Sequence, residues 1–421
     1  MDPIRVLVVT PYYAPDYGPS APIYTALCED LQAAGCEVSV STAFPHYSAS
    51  GCAAPDAGRR PTRRLLAVET LNGVTVSRSY VYRVPRSSTW RRLLYHASFN
   101  LSATLAALRM AKPDVILADA PVLWSGLPLL ALALLPRVPF VYTVHDIYPD
   151  VLVKLGVVTD RRIVDLVDRA ERFVYARSAR ITVLTAGFKQ NLVAKGVAAE
   201  KIVVIPACVD VDFIRPLPRH GALRRELGLE DKFVALYAGN MGFSQGLDAI
   251  LDAARMLAGE PRIVFALVGE GPARAALQAS ASAQGLRNVV FSSFLPRERV
   301  PQLYATADVG LVALKPEIGV ESVPSKAYTI MASGRALIAA VGPDTEVGRH
   351  VDDTGCGLCV PHGDAAALAG AVLRLEREES LRLAMGDRGR AHVVAHYGRE
   401  VASRRYLEII RECAGAAARR S

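Results

Sequence analysis

Short β-branched runs alternate with helical patterns along most of this 421-residue chain, and the alternation breaks once, near the middle. In the first half the strand candidates are 6–10, 37–42, 74–78, 115–118, 140–144, 181–185 and 202–205, with helical patterns over 24–34, 93–110, 162–175 and 186–195. The segment IPACVDVDFIRPLP at 205–218, with its three prolines, interrupts the rhythm. Strands then resume at 233–237, 263–268, 289–291, 309–313 and 336–341, with helices over 247–257, 273–284, 300–305 and 365–377. In the first of these helices Leu247, Ile250, Leu251, Ala254 and Leu257 share one face. Strands separated by helices mean βαβ units and mainly parallel sheets. The chain is therefore expected to be α/β, with doubly wound halves over 1–215 and 216–397 and a last helical tail over 398–421. Ligands of such sheets bind outside the carboxyl ends of the strands, so the loops there are where chemistry is sought.

Bulk properties narrow the class. At 51% hydrophobic and 21% charged the chain is ordinary globular material, long enough for two cores. The opening MDPIRVLVVTPYY carries acid and proline and enters a strand at once, unlike a secretory signal. The longest apolar run, 121–136, is broken by Pro128 and too short to cross a bilayer, which takes about 20 residues. Seven scattered cysteines suit a reducing cytoplasm, and the lone pair Cys356 and Cys359 lacks the second pair a zinc site needs. The net charge of +8 gathers at Arg59, Arg60, Arg63 and Arg64, and at Arg83, Arg86, Arg91 and Arg92. Basic surface suits nucleic acid, an anionic membrane or a phosphorylated substrate. With no aromatic interleaving and no RNA-binding signature, nucleic acid is set below membrane. The segment WRRLLYHASFNL at 90–101 is apolar with a basic end, as an interfacial helix would be. No metal-binding, Walker or Gly-x-Ser-x-Gly motif occurs, so no metal and no serine nucleophile are expected.

Six loops at strand ends carry candidate chemistry. PYYAPDYGPSAP at 11–22 holds Gly18, where the backbone can approach a ligand ahead of a helix. HDIYPD at 145–150, at the mouth of a parallel strand, places His145 to hydrogen-bond a substrate hydroxyl and Asp146 to accept a proton. GNMGFSQGLDAI at 239–250 has three glycines in eight residues before an amphipathic helix, a phosphate cradle that includes Gly239. GEGPA at 269–273 begins with Gly269 but has Arg274 where a dinucleotide fingerprint needs glycine. VVFSSFLP at 289–296 ends a strand at Phe294 and Leu295. ESVPSKAYTIMASG at 321–334 opens a helix with Ser325 and Lys326, a hydroxyl and an ammonium at the end where unpaired N–H groups favour a diphosphate, and Glu321 lies one loop away.

This last segment resembles the donor-binding region of retaining family 4 glycosyltransferases, whose mark is two Glu residues eight positions apart. The first position is Glu321; the second, which in the family binds ribose hydroxyls, is Thr329. The Pro-Ser-Lys wording and HDIYPD resemble the branch that builds bacterial surface polysaccharides of the colanic-acid and O-antigen type. The resemblance covers nearly the whole chain. It implies a GT-B fold, two Rossmann-like domains facing across a cleft, with the final helix crossing back to the N-terminal domain. It implies a UDP- or GDP-sugar donor, held without metal or other cofactor by Gly18, Gly239, Asn240, Gln245, Gly269, Phe294, Leu295, Ser325, Lys326 and Thr329. Asn240 and Gln245 stand where most of the family has Arg and Lys, so Lys326 and helix N-termini are left to balance the diphosphate. His145, Asp146 and Glu321 are the catalytic candidates. The implied reaction transfers a hexose, with retention, to an acceptor hydroxyl on a polyprenyl-diphosphate-linked glycan, in the cytoplasm or at the inner membrane face. A GT-B sugar-nucleotide epimerase and an inactive nucleotide-binding scaffold remain as alternatives.

Overall fold

The computed structural model describes residues 3–16, 20–46, 65–82, 89–121, 138–154, 158, 160–315 and 325–419. The chain forms two compact units, Met1–Pro206 with Ala402–Ser421, and Ala207–Val401.

The first unit is built on eight strands: β1 (Arg5–Val9), β2 (Glu37–Ala43), β3 (Leu66–Leu71), β4 (Val74–Ser79), β5 (Val115–Asp119), β6 (Phe140–Val144), β7 (Arg180–Val183) and β8 (Ile202–Val204). They lie in the order β3-β4-β2-β1-β5-β6-β7-β8. Only β3 runs antiparallel to its neighbour. Both β5 and β6 are buried along their whole length, because helices cover both faces of a parallel sheet. From β1 the order proceeds through β2 on one side and β5 on the other, so the carboxyl ends of β1 and β5 form a topological switch point.

The second unit has six strands, all parallel: β9 (Phe233–Ala238), β10 (Ile263–Val268), β11 (Val289–Ser292), β12 (Val309–Ala313), β13 (Ala336–Ala340) and β14 (Gly357–Val360). Their order is β11-β10-β9-β12-β13-β14, with the switch point between β9 and β12. Alternate residues feed two cores. Ala235, Tyr237, Phe265, Leu311 and Ile338 join one; Val234, Leu236, Ala266, Val312 and Leu337 join the other.

At the amino ends of β9 and β12 a fully buried Arg224 is almost saturated. Its guanidinium donates to the carbonyls of Leu229 and Thr306, both at 2.8 Å, to that of Lys232, and to Asp308 Oδ2 at 3.2 Å. Asp308 Oδ2 also accepts the Val234 amide at 2.8 Å. These bonds fix where the central strands begin.

The chain first crosses between units at 206/207, ahead of the 215/216 position that the prolines suggested. The reason is packing: Val209 pairs with Gly398, and Val209 and Ile214 are buried in the second unit's core. The second crossing falls at 401/402, inside the helix Arg399–Ala418. Beyond it the helix packs on the first unit through Ser403 to Asp30 (2.5 Å) and Tyr406 to Thr182 (3.3 Å). No described helix is long and apolar enough to cross a membrane; the run at 121–136 lies, past Pro121, outside the described residues.

Candidate active site

In the first unit, β5 ends on Asp119 and β6 delivers His145 and Asp146 immediately beyond Val144. Asp119 is 1% exposed. Its Oδ2 accepts from Thr10 Oγ1 at 3.2 Å, past the end of β1, and from Ser20 Oγ at 3.1 Å, before the helix Ala21–Ala33. His145 Nε2 stands 3.8 Å from Asp119 Oδ1, beyond hydrogen-bond range, and the Tyr24 ring meets the imidazole edge-on with centroids 5.9 Å apart. Three neighbouring strand ends thus bring a carboxyl, an imidazole and two hydroxyls to one switch point.

Burial sets the protonation states. It pushes the Asp119 carboxyl up to about 7; hydroxyls of Ser20, Tyr24 and Thr10 pull the other way, and Asp146 adds a like charge. Burial also pushes Asp146 up to about 6 and His145 down to about 4. Near neutrality the imidazole is therefore uncharged, and its Nε2 has no hydrogen-bond partner among the described residues. Such a group can exchange a hydrogen bond with an incoming hydroxyl. The sequence pointed to His145 and Asp146. It did not point to Asp119, whose only local sign is an acid closing the run VILAD.

The second unit's site surrounds the carboxyl ends of β9 and β10. Gly239 follows β9 with φ 147°, and Gly269 follows β10 with φ 151°. The two turns touch: a Cβ on Gly269 would fall 1.9 Å from the Gly239 carbonyl oxygen, so only glycine fits. The Gly239 amide donates to Val268 O at 2.9 Å and the Met241 amide to Glu270 O at 2.8 Å, locking one loop to the other. Gln245 turns inward to close its own loop, accepting the Gly242 amide on Oε1 at 3.1 Å. Asn240 enters through its carbonyl, which accepts from the Tyr237 hydroxyl at 2.7 Å.

Across the switch point, Lys326 opens the helix Lys326–Ala332. Its ammonium donates to Tyr237 Oη at 2.8 Å and lies 4.4 Å from that ring's centroid. Burial pulls its pKa down to about 8. Ser325 is exposed and its side chain caps nothing; Thr329 Oγ1 turns back to the Ser325 carbonyl. Leu295 packs against the core while Phe294 is 42% exposed, both beyond the edge strand β11. The structure therefore gathers Gly239, Asn240, Gly269 and Lys326, with Tyr237 as the member that sequence reasoning missed. Gly18 and Glu321 lie outside the described residues. Among the described residues no His, Cys, Asp and Glu are grouped to hold a metal ion.

Comparison with known proteins agrees with both units. Residues 20–208 match the glycosyl transferase 4-like domain, and residues 221–392 match glycosyl transferases group 1. The chain is 30% identical over 387 residues to the putative colanic acid biosynthesis glycosyl transferase WcaI of Escherichia coli (strain K12), covering 88% of this chain and 91% of that protein. It belongs to this glycosyltransferase family. Among solved structures, sucrose-phosphate synthase from Thermosynechococcus elongatus aligns with TM-score 0.73 at 19% identity, over 98% of this chain and 100% of that one. Anabaena HepE in complex with UDP-glucose aligns with TM-score 0.69 at 16% identity, over 97% and 100%. The glycosyltransferase thus has the GT-B fold, and its two matched domains coincide with the two units, apart from the returning C-terminal helix.

Proposed function

We propose that this glycosyltransferase moves a hexose from a UDP- or GDP-sugar to an acceptor hydroxyl, with retention, in the assembly of a surface polysaccharide. The observation that carries the donor half is Lys326, whose ammonium sits beside the turn at Gly239, the turn that touches Gly269. A diphosphate there would meet the half-buried Lys326 ammonium, which suits a leaving group that gains charge as the glycosidic bond breaks. Support for a UDP donor comes from HepE, solved with UDP-glucose; support for polysaccharide assembly comes from WcaI, named for colanic acid biosynthesis. Retention rests on the resemblance around Glu321 alone. On the acceptor side, Asp146 is the base that takes the hydroxyl proton, and the uncharged His145 positions the sugar.

A lipid-linked acceptor is favoured by the helix Thr89–Ala107, which carries an apolar stripe on its exposed side as well as its buried one. Leu94, Leu101 and Leu105, with Leu108 just beyond, are 47–62% exposed at helical spacing. No acidic residue occurs from 80 to 113, whereas Arg83, Arg86, Arg91, Arg92, Arg109 and Lys112 do. Apolar side chains flanked by cations suit an anionic membrane surface, where a polyprenyl-diphosphate glycan resides.

Titration with UDP and GDP in a calorimeter tests the donor reading. Lys326→Ala should weaken the preferred nucleotide about tenfold or more, since a charge-assisted hydrogen bond contributes about 1.5–3 kcal/mol. Unchanged binding would sink the phosphate assignment. Turnover of a nucleotide-sugar without acceptor would point instead to an epimerase, and binding without any turnover to a scaffold.

A further inference from the structure

Tyr237 occupies the next-to-last position of β9, and its side chain is fully buried in the core of the second unit. A phenylalanine would fill the same volume. The hydroxyl is needed only for what it meets at the strand end, and it meets two groups from different elements. It donates its proton to the Asn240 carbonyl at 2.7 Å, and it accepts from Lys326 Nζ at 2.8 Å. Because its single proton goes to the carbonyl, only its lone pairs face the ammonium, which fixes the polarity of the pair. Burial pushes the phenol well above its ordinary range, so it stays protonated in that role. The stem of Lys326 meanwhile runs past Gly239, where a Cβ would come within 3.2 Å of Lys326 Cε. One of the three ammonium N–H bonds is used on Tyr237, and the other two have no acceptor among the described residues.

We infer that Tyr237 is a positioning residue of the nucleotide site: its hydroxyl couples the glycine-rich loop to Lys326 and holds the ammonium where the terminal phosphate of a nucleoside diphosphate binds. The inference rests on the donor-site reading above. It explains how a loop with Asn240 and Gln245 in place of basic residues still presents a positive charge. The cation comes from the other side of the switch point, and the phenol ties it to the loop it serves.

Calorimetric titration of the full chain with UDP, UMP, GDP and GMP tests this in four proteins: wild type, Tyr237→Phe, Lys326→Ala and the double variant. Tyr237→Phe should lower the ratio of diphosphate to monophosphate affinity about tenfold, the worth of one charge-assisted hydrogen bond. In the Lys326→Ala background the same change should leave that ratio within about twofold, because the partner is gone. An unchanged ratio in Tyr237→Phe would overturn the inference, as would an equal loss for mono- and diphosphates or a tenfold ratio effect that persists without Lys326. Should Tyr237→Phe fold poorly, Lys326→Ala and Lys326→Arg decide: a ratio unaffected by either overturns the inference. Wild-type protein that binds neither UDP nor GDP would fail the donor-site reading itself, and this inference with it.

Discussion

Replacing Asp119 by asparagine should make the first unit more stable, and increasingly so as pH rises. Burial lifts this carboxyl from its ordinary 3.8 to about 7. Between those values the folded chain holds a proton that the unfolded chain has released, so stability is lost as pH climbs through the window. From pH 5 to pH 8 the imbalance amounts to about two pH units, or about 2.7 kcal/mol at 1.36 kcal/mol per unit. Asparagine does not titrate, yet its oxygen can still accept from Thr10 and Ser20, the partners that Asp119 Oδ2 has now. Asp146 titrates in both proteins and cancels to first order in the difference. The assay is urea unfolding of wild type and Asp119→Asn at pH 5 through 8, followed by tryptophan fluorescence. Both tryptophans of the sequence, Trp90 and Trp124, lie in its first half, so the signal is selective for that half of the chain. The stability difference should move in the variant's favour by about 2–3 kcal/mol across that range. A difference that stays flat with pH would refute the argument, since it would mean that Asp119 ionises in the folded state as it does in water.

Asp308→Ala should destabilise the second unit by about 3–5 kcal/mol, because it strands the buried Arg224 charge and the Val234 amide; differential scanning calorimetry would resolve the loss. Gly269→Ala drives a Cβ into the Gly239 carbonyl and should abolish UDP or GDP binding in calorimetry while leaving first-unit tryptophan unfolding unchanged. Leu101→Glu with Leu105→Glu places charge on an already exposed stripe, so thermal stability should hold to within about 0.5 kcal/mol. Flotation with anionic liposomes should be lost, and retained flotation would remove this helix from the proposed membrane face.

The elements most legible in the sequence are those buried on both faces. β10 and β12 appear as unbroken apolar runs and β6 as one interrupted only by Thr143, and the expected bounds match the observed ones. β3 escaped because it is an edge strand with Val68 70% exposed, and its sequence LAVETL lacks the apolar-polar alternation of a half-buried strand. β14 lies within TGCGLCVPHGD, which reads as a glycine-rich loop. Gly357 is there because its strand passes so close to Leu337 that a Cβ would fall 1.9 Å from that carbonyl. The helix Glu379–His396 was missed for a related reason: Gly386 and Gly389 lower its apparent helicity, yet they let it approach Gly334 and Met331. In the site, loops with glycine or with His-Asp after a strand could be recognised from spacing. Asp119 and Tyr237 could not, since each matters through neighbours 89 to 109 residues away.

The charges of the second unit divide along the sheet in a way that separates stability from function. At the amino ends of β9 and β12, Arg224 spends four of its five N–H bonds on Asp308 and three carbonyls, leaving little for a ligand. At the carboxyl ends, Lys326 uses one of its three ammonium N–H bonds on a described residue, Tyr237, and has its pKa drawn down to about 8 by burial. The first unit repeats the contrast, with His145 Nε2 lacking a hydrogen-bond partner among the described residues and its pKa pulled down to about 4. A buried polar group kept unsatisfied costs about 1–3 kcal/mol, more if charged. Folding alone gives no reason to carry that cost at His145 Nε2, which lies at a strand end where parallel sheets place their ligands. An incoming hydroxyl there, and an anion at the half-buried Lys326 ammonium of the second unit, would supply partners.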